Sequence, residues 1–286
     1  MTTLASLPPL QPKIAPALPG EGVWTTDGLP AAAPGAPSPV VKTFIRPDQA
    51  RPFAVVTVLQ FDIAHADLHM VAGVDQPGGP LGLHGTGIIP VVLLHGDALL
   101  AAFNGAFKYA DGAYGMMADG VTYVPPRWGS ATIAVTSAHH VIMGAWGLDK
   151  RLTGANHGLV AWRQNGPLLV DHGALNPRSE DGTSWGISIM NGAYTWRSAI
   201  GVTAHGTLVY VSGPSLSATT LGQALLSVGA TMAMQLDINP YWVRAFTYQP
   251  GANGLLYSTR LDPAMQGAGT EYFYGASRDF FYLTRR

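Results

Sequence analysis

Glycine and proline recur so often along this chain that long regular elements have little room to form. The 35 glycines and 22 prolines are about a fifth of the 286 residues. Glycine weakens helix and strand interiors, and proline removes a backbone donor. From about residue 41 onward, the segments between them are short and apolar. "FAVVTVLQF" (53–61) is rich in β-branched residues. "HADLHMVAG" alternates, with Ala66, Leu68 and Met70 on one face and His65, Asp67 and His69 on the other. Three hairpins are expected, over 132–146, 159–173 and 197–213; Asn165-Gly166 in the second suits a type I′ turn. No repeat of fixed period occurs.

Two segments carry a helical signal. "VVLLHGDALLAAFN" (91–104) reads as a short helix leading into a strand. In "SATTLGQALLSVGA" (217–230), Leu221, Ala224, Leu225 and Val228 follow the i, i+3, i+4, i+7 rule. Ser217 or Thr219 would cap that helix and Gly229 would stop it. The expected fold class is α+β: a single sheet-rich domain over 41–286, with a few helices packed on a mixed or antiparallel sheet. Residues 1–40 are rich in Pro and Ala and read as an extended arm or linker.

Charged residues are 12% of the chain, about half the usual roughly 25%. The surface must therefore rely on Gly, Ser, Thr, Asn and Gln. The net charge is −1, with no basic stripe, which argues against nucleic-acid binding. Cysteine is absent, so thiolate metal sites and thiol nucleophiles are excluded. No apolar window is long enough to read as a membrane span. The first twenty residues lack a basic start and a continuous apolar stretch, so no signal peptide is expected there. Nucleotide-binding loops, zinc-protease and serine-hydrolase signatures are missing. His139 and His140 are adjacent, so on a strand they would point to opposite faces. No metal and no cofactor is expected.

Three features remain as candidates for chemistry. "TMAMQLD" (231–237) reads as a strand with Met232, Met234 and Leu236 on one face and Thr231, Ala233, Gln235 and Asp237 on the other. Asp237 at its end either holds the following turn or does chemistry. Asn104, in "FNGAF" (103–107), either turns the chain beside Gly105 or offers its amide to a ligand oxygen. Arg197 opens an apolar strand, where a guanidinium needs an anion, from a salt bridge or a phosphate. Asp119, Asp171 and Glu180 are second-choice carboxylates. The polar Glu180 loop (176–186) either reaches the cleft or lies on the solvated surface.

In this order, "FNGAF", "RSAIG" (197–201), the helix "TTLGQALLSVGA" and the Leu236-Asp237 strand end resemble the phosphodiester glycosidase family, the N-acetylglucosamine-1-phosphodiester α-N-acetylglucosaminidase-like proteins. "GMMADGVTYVPP" (115–126) is similar to the Gly-rich hairpin of that family. The resemblance spans about residues 50–284. It implies hydrolysis of a sugar-1-phosphodiester at the anomeric carbon, giving free sugar and a phosphomonoester. Asp237 would then be base or electrostatic stabiliser, Arg197 the phosphate clamp and Asn104 the group that orients substrate oxygens. Gly105, Phe107, Ser198, Asn239, Trp196, Tyr241 and Glu180 would line the substrate site, with Tyr194 as a further stacking residue. The implied partner is a carbohydrate or sugar-phosphodiester ligand, met in an extracytoplasmic or secreted setting.

One departure stands out. The family usually follows the aspartate with Gly-Gly-x-Ser, whereas here Ile238-Asn239-Pro240-Tyr241-Trp242 follows. Either the substrate differs, or the chain is a catalytically inactive glycan-binding or assembly module on the same fold. Low charge and the Pro-rich arm also suit a homo-oligomer.

Overall fold

The computed structural model describes residues 4–33, 35–190, 192–252 and 254–286. In chain order the first strands are β1 (Val40–Ile45), β2 (Val56–Phe61), β3 (Ala66–Val71), β4 (Leu99–Asn104), β5 (Met116–Ala118) and β6 (Val121–Val124). β7 (Ala131–Thr136), β8 (Val141–Ala145), β9 (Leu159–Asn165), β10 (Leu168–Asp171) and β11 (Ala174–Leu175) follow. Next come β12 (Thr195–Thr203), β13 (Leu208–Leu216), helix α1 (Ala218–Ser227) and β14 (Ala230–Ile238). The chain closes with β15 (Ala245–Pro250), β16 (Leu256–Arg260) and β17 (Phe280–Arg285).

These strands form three antiparallel sheets, ordered β1-β2-β13-β12-β14-β10-β11, β16-β15-β4-β17-β3 and β6-β5-β9-β7-β8. The α+β expectation is therefore corrected to a largely β fold with one α-helix among the described residues. The physical reason lies in the spacing of the breakers. In 91–104, Gly96 takes a φ of +79°, so Val91–Leu94 makes only a 3₁₀ turn and the strand starts at Leu99. α1 is the segment free of such breaks. Ser217 caps it by accepting from the Thr220 N–H at 3.0 Å, and Gly229 follows it at φ +80°.

The seven-stranded sheet is the middle layer. One face packs Val58, Val209, Val211 and Ala233 against Leu221, Ala224 and Leu225 of α1. The other buries Phe61, Tyr210 and Met234 against Phe103 and Phe281 of the second sheet and Ile133 of the third. Phe103 stacks on Tyr210 at 4.4 Å between ring centres.

The hairpins over 132–146 and 197–213 form as β7–β8 and β12–β13. The one expected over 159–173 does not. β9 pairs with β5 and β7, and β10 with β14 and β11. Both edges of β9 are occupied, so Asn165-Gly166 carries the chain from one sheet to another rather than folding it back.

The arm before β1 lies along the sheets. Arg46 pairs with Glu21 at 2.8 Å, both buried, and its Nη2 donates to the Ile14 and Pro16 carbonyls. Further along, the Ala31 carbonyl accepts from Arg285 Nη2 at 2.7 Å.

Candidate active site

The site is built where β4 and β14 end and β12 begins. β14 is interrupted in its last turn of pairing: Ala199 opposes Gln235, but Arg197 opposes Ile238. Two residues, Leu236 and Asp237, thus face the single Ser198. This is a β-bulge, a device that re-aims a side chain next to functional sites. Without it Asp237 would share the face of Gln235, as strict alternation predicts. With it, Gln235 and Ile238 share one face and Asp237 points to the other.

The bulge is held by polar contacts. Ser198 Oγ donates to the Asp237 carbonyl at 2.9 Å, and the Asp237 N–H donates to the Gly105 carbonyl at 3.0 Å. Asn104 Nδ2 donates to Ser198 Oγ (3.0 Å) and to the Gly105 carbonyl (2.9 Å). Its Oδ1 accepts from Tyr210 Oη (3.0 Å) and the Arg244 N–H (3.2 Å). Asn104, Gly105 and Ser198 thus form the floor under Asp237.

Gly105 cannot be larger. A Cβ there would stand 1.9 Å from Asp279 Oδ2. The Asp279 carboxylate in turn takes Arg163 Nε (2.8 Å) and Nη2 (3.0 Å), with the Ala106 N–H at 3.2 Å. Arg163 is fully buried and also donates to the Phe107 carbonyl at 2.6 Å. This paired charge fixes the backbone of "FNGAF" from beneath.

Asp237 itself is 6% exposed. Its Oδ1 accepts from the Ile238 N–H at 2.8 Å, and its Oδ2 pairs with Arg278 Nη2. Burial pushes its carboxyl up to about 7, against the opposing pull of Arg278. The Arg278 guanidinium also lies over Trp242, 4.6 Å from the ring centre. Asp237, Arg278 and Trp242 line a cleft of about 560 Å³, together with Phe107, Lys108, Tyr114 and Asn239. Aromatic faces, two cations and two carboxyls converge here, Lys108 facing Asp111 at 3.9 Å as Arg278 faces Asp237.

Asn239 explains how the chain departs from the glycine pattern. It holds φ at +78°, a conformation that glycine adopts freely and asparagine tolerates better than most. Its Oδ1 accepts from the Ile189 N–H (3.0 Å) and Thr195 Oγ1 (3.1 Å). A side chain has thus become a tie between the β14 end and the 186–194 loop.

Residues 97–237 match the model of the phosphodiester glycosidase family. Over that segment the chain is similar to the phosphodiester glycosidase family. The match runs from just before β4 to Asp237 itself. Among solved structures, the catalytic domain of zebrafish N-acetylglucosamine-1-phosphodiester α-N-acetylglucosaminidase, auto-inhibited by its pro-peptide, is similar in fold. The likeness covers 90% of this chain and 87% of that one, with a TM-score of 0.51 and 13% identity. A hypothetical protein from Synechocystis is similar over 88% of this chain and 64% of its own, with a TM-score of 0.52 and 12% identity. A search of curated proteins finds no match.

Within this phosphodiester glycosidase fold, the expected site residues divide. Asp237, Phe107 and Asn239 line the cleft, with Asn104, Gly105 and Ser198 below it. Arg197 does not reach it. It lines a neighbouring cavity with Glu180, separated by Gly186 and Ile187, which line both. Trp196 is half-buried against the core, and Tyr241 is exposed beside Trp242. Tyr194 lies under the Arg51 guanidinium at 3.8 Å. Asp171 is exposed, and Asp119 occupies the turn between β5 and β6. Sequence reasoning missed Arg278, Trp242, Lys108, Tyr114 and the Arg163–Asp279 pair. The usable signal was "SRDFFYL" (277–283), where an Arg-Asp dipeptide precedes an apolar strand. No group of three His, Cys, Asp or Glu that could hold a metal occurs among the described residues, and no helix there is long and apolar enough to cross a membrane.

Proposed function

We propose that the chain hydrolyses a sugar-1-phosphodiester at the anomeric carbon, releasing free sugar and a phosphomonoester. One observation carries this reading: a buried carboxyl poised near neutrality, Asp237, paired with Arg278 in a cleft walled by aromatic rings. The C1–O bond to phosphate breaks as water adds at C1, through an oxocarbenium-like transition state. In this reading Asp237 offsets that positive charge or takes the proton of the attacking water. The departing phosphate gains negative charge, and Arg278 with Lys108 supplies cations for it. Phe107, Tyr114 and Trp242 offer faces to the sugar, N-acetylglucosamine being the first to try. An extracytoplasmic setting, where such diesters are met, goes with this reading.

Release of free sugar from a panel of sugar-1-phosphodiesters, including N-acetylglucosamine-1-phosphate esters, tests it. Wild type turns over at least one of them, and Asp237→Asn and Arg278→Gln do not approach its rate. Saturable sugar binding with no turnover across the panel would instead favour a glycan-binding module. The Ile238–Trp242 departure from the glycine pattern is the observation on that side.

A further inference from the structure

Three arginines are buried among the described residues: Arg46, Arg163 and Arg197. Arg46 pairs with Glu21 and Arg163 with Asp279, each at 2.8 Å. Arg197 is 2% exposed and meets only neutral acceptors. Its Nε donates to the Leu216 carbonyl (2.9 Å), and its Nη1 to the Trp185 carbonyl (2.8 Å) and Gln235 Oε1 (2.7 Å). Its Nη2 donates to the Ala193 carbonyl at 3.2 Å, in a part-buried position. No ion pair to Arg197 occurs among the described residues. Burial alone pulls its guanidinium down to about 10. A cation withdrawn from water without an anion is costly, and its two buried counterparts avoid that cost.

Arg197 lines a cavity of about 520 Å³. Ser217 and Ala218, at the start of the ten-residue α1, line the same cavity and bring the positive end of the helix to it. Ser179 adds a buried hydroxyl, Ser188 Oγ donates to the Gly192 carbonyl at 2.7 Å, and Glu180 is exposed at the wall. Gly186 and Ile187 separate this cavity from the Asp237 cleft.

We propose that this cavity is a second anion site, which takes a tetrahedral oxyanion of the phosphate class against Arg197 and the start of α1. Two sources share this chemistry: free phosphate, or a second phosphate on the substrate itself. The latter source rests on the glycosidase reading and would make the substrate a sugar carrying two phosphates.

The test uses the full chain and needs no turnover. Inorganic phosphate at constant ionic strength should raise Tm saturably, by about 2–4 °C. Ser217→Asp is the decisive variant. Aspartate caps a helix as well as serine does, so the fold is kept, and its carboxylate puts a negative charge into the cavity that Arg197 lines, where it repels phosphate. The variant should lose the response to phosphate, whatever its own melting temperature, since Asp48 accepts from the Thr220 hydroxyl close by. Arg278→Gln should keep the response. No response in wild type, or a response that survives Ser217→Asp, overturns the proposal; loss in Arg278→Gln alone would move the anion to the catalytic cleft. Glucose 1,6-bisphosphate against glucose 1-phosphate separates the sources. Tighter binding of the bisphosphate in wild type, lost in Ser217→Asp, assigns the site to the substrate, and equal binding assigns it to free phosphate.

Discussion

Arg278 and Arg197 occupy two cavities that share one wall, and they answer the need for an anion in opposite ways. Arg278 is partly exposed, lies on Trp242 and pairs with Asp237. Arg197 is buried among carbonyls, with no carboxylate. The difference follows from the bulge at Leu236–Asp237. Arg197 shares a sheet face with Gln235 and Ile238, while the extra residue sends Asp237 through to the other face. Sheet register, more than closeness in the sequence pattern, decides which cation a carboxylate meets.

The largest expected effect separates the two cavities by turnover. On the best diester of the panel, Asp237→Asn should lower kcat/KM by roughly 10²–10⁴-fold, the range for a positioned acid–base group. Arg278→Gln should fall in the same direction. Arg197→Lys, which keeps the charge, should cost far less. Equal losses for the lysine and the asparagine variant would erase the distinction drawn here and return Arg197 to the scissile phosphate.

Asp237 also contrasts with the carboxylate beneath it, Asp279, whose charge is used inside the fold. Asp279 is held by both arms of Arg163, fully inside the protein. Breaking a buried pair by removing one partner costs about 3–5 kcal/mol. Arg163→Met should destabilise by that amount in urea unfolding, with loss of activity following from loss of fold. A change below about 1 kcal/mol would show that the "FNGAF" backbone holds itself up without Asp279.

Asp237 should also leave a mark on stability against pH. Its carboxyl rises from an ordinary 3.8 to about 7 on folding. Between those values the folded state holds a proton that the unfolded state has lost. Stability from this group is therefore present below about pH 4 and lost as pH rises through 7, on the order of 4 kcal/mol in all. Asp237→Asn removes that slope. Its stability relative to wild type should improve steadily from about pH 4 to about pH 8, an instance of a site residue kept at a cost to the fold. Parallel curves for the two proteins would mean that Arg278 holds Asp237 ionised throughout.

How much of this was legible in the sequence depended on the range of the signal. Local patterns sufficed for α1, the 197–213 hairpin, the alternation of β3 and the placement of Asp237 at a strand end. Asn165-Gly166 misled because turn chemistry is local, whereas the choice of partner strand is made by edges already taken elsewhere. The bulge left no trace, since two-residue alternation continues through "MQLD" as if nothing intervened. Arg278 was hidden by distance: it lies 41 residues beyond Asp237 and outside the matched segment.

The smallest expected effect concerns Asn239, where the chain differs from the glycine pattern. Substituting Asn239→Gly has two opposed consequences. It relieves the cost of holding a side chain at φ +78°. It also removes Oδ1, which receives the Ile189 N–H and Thr195 Oγ1 from across the 186–194 loop. Two hydrogen bonds at about 0.5–1.5 kcal/mol each outweigh a left-handed strain of about 1 kcal/mol, so the net loss should be near 1 kcal/mol. Amide exchange should show that loss as faster opening confined to residues 186–194. That loop carries Gly186 and Ile187, the wall between the two cavities, so loosening it should also weaken any ligand that depends on both. Unchanged exchange would mean that the Arg197 bonds to Trp185 and Ala193 hold the loop unaided, which would give the buried guanidinium a structural purpose and weaken the case for an anion beside it.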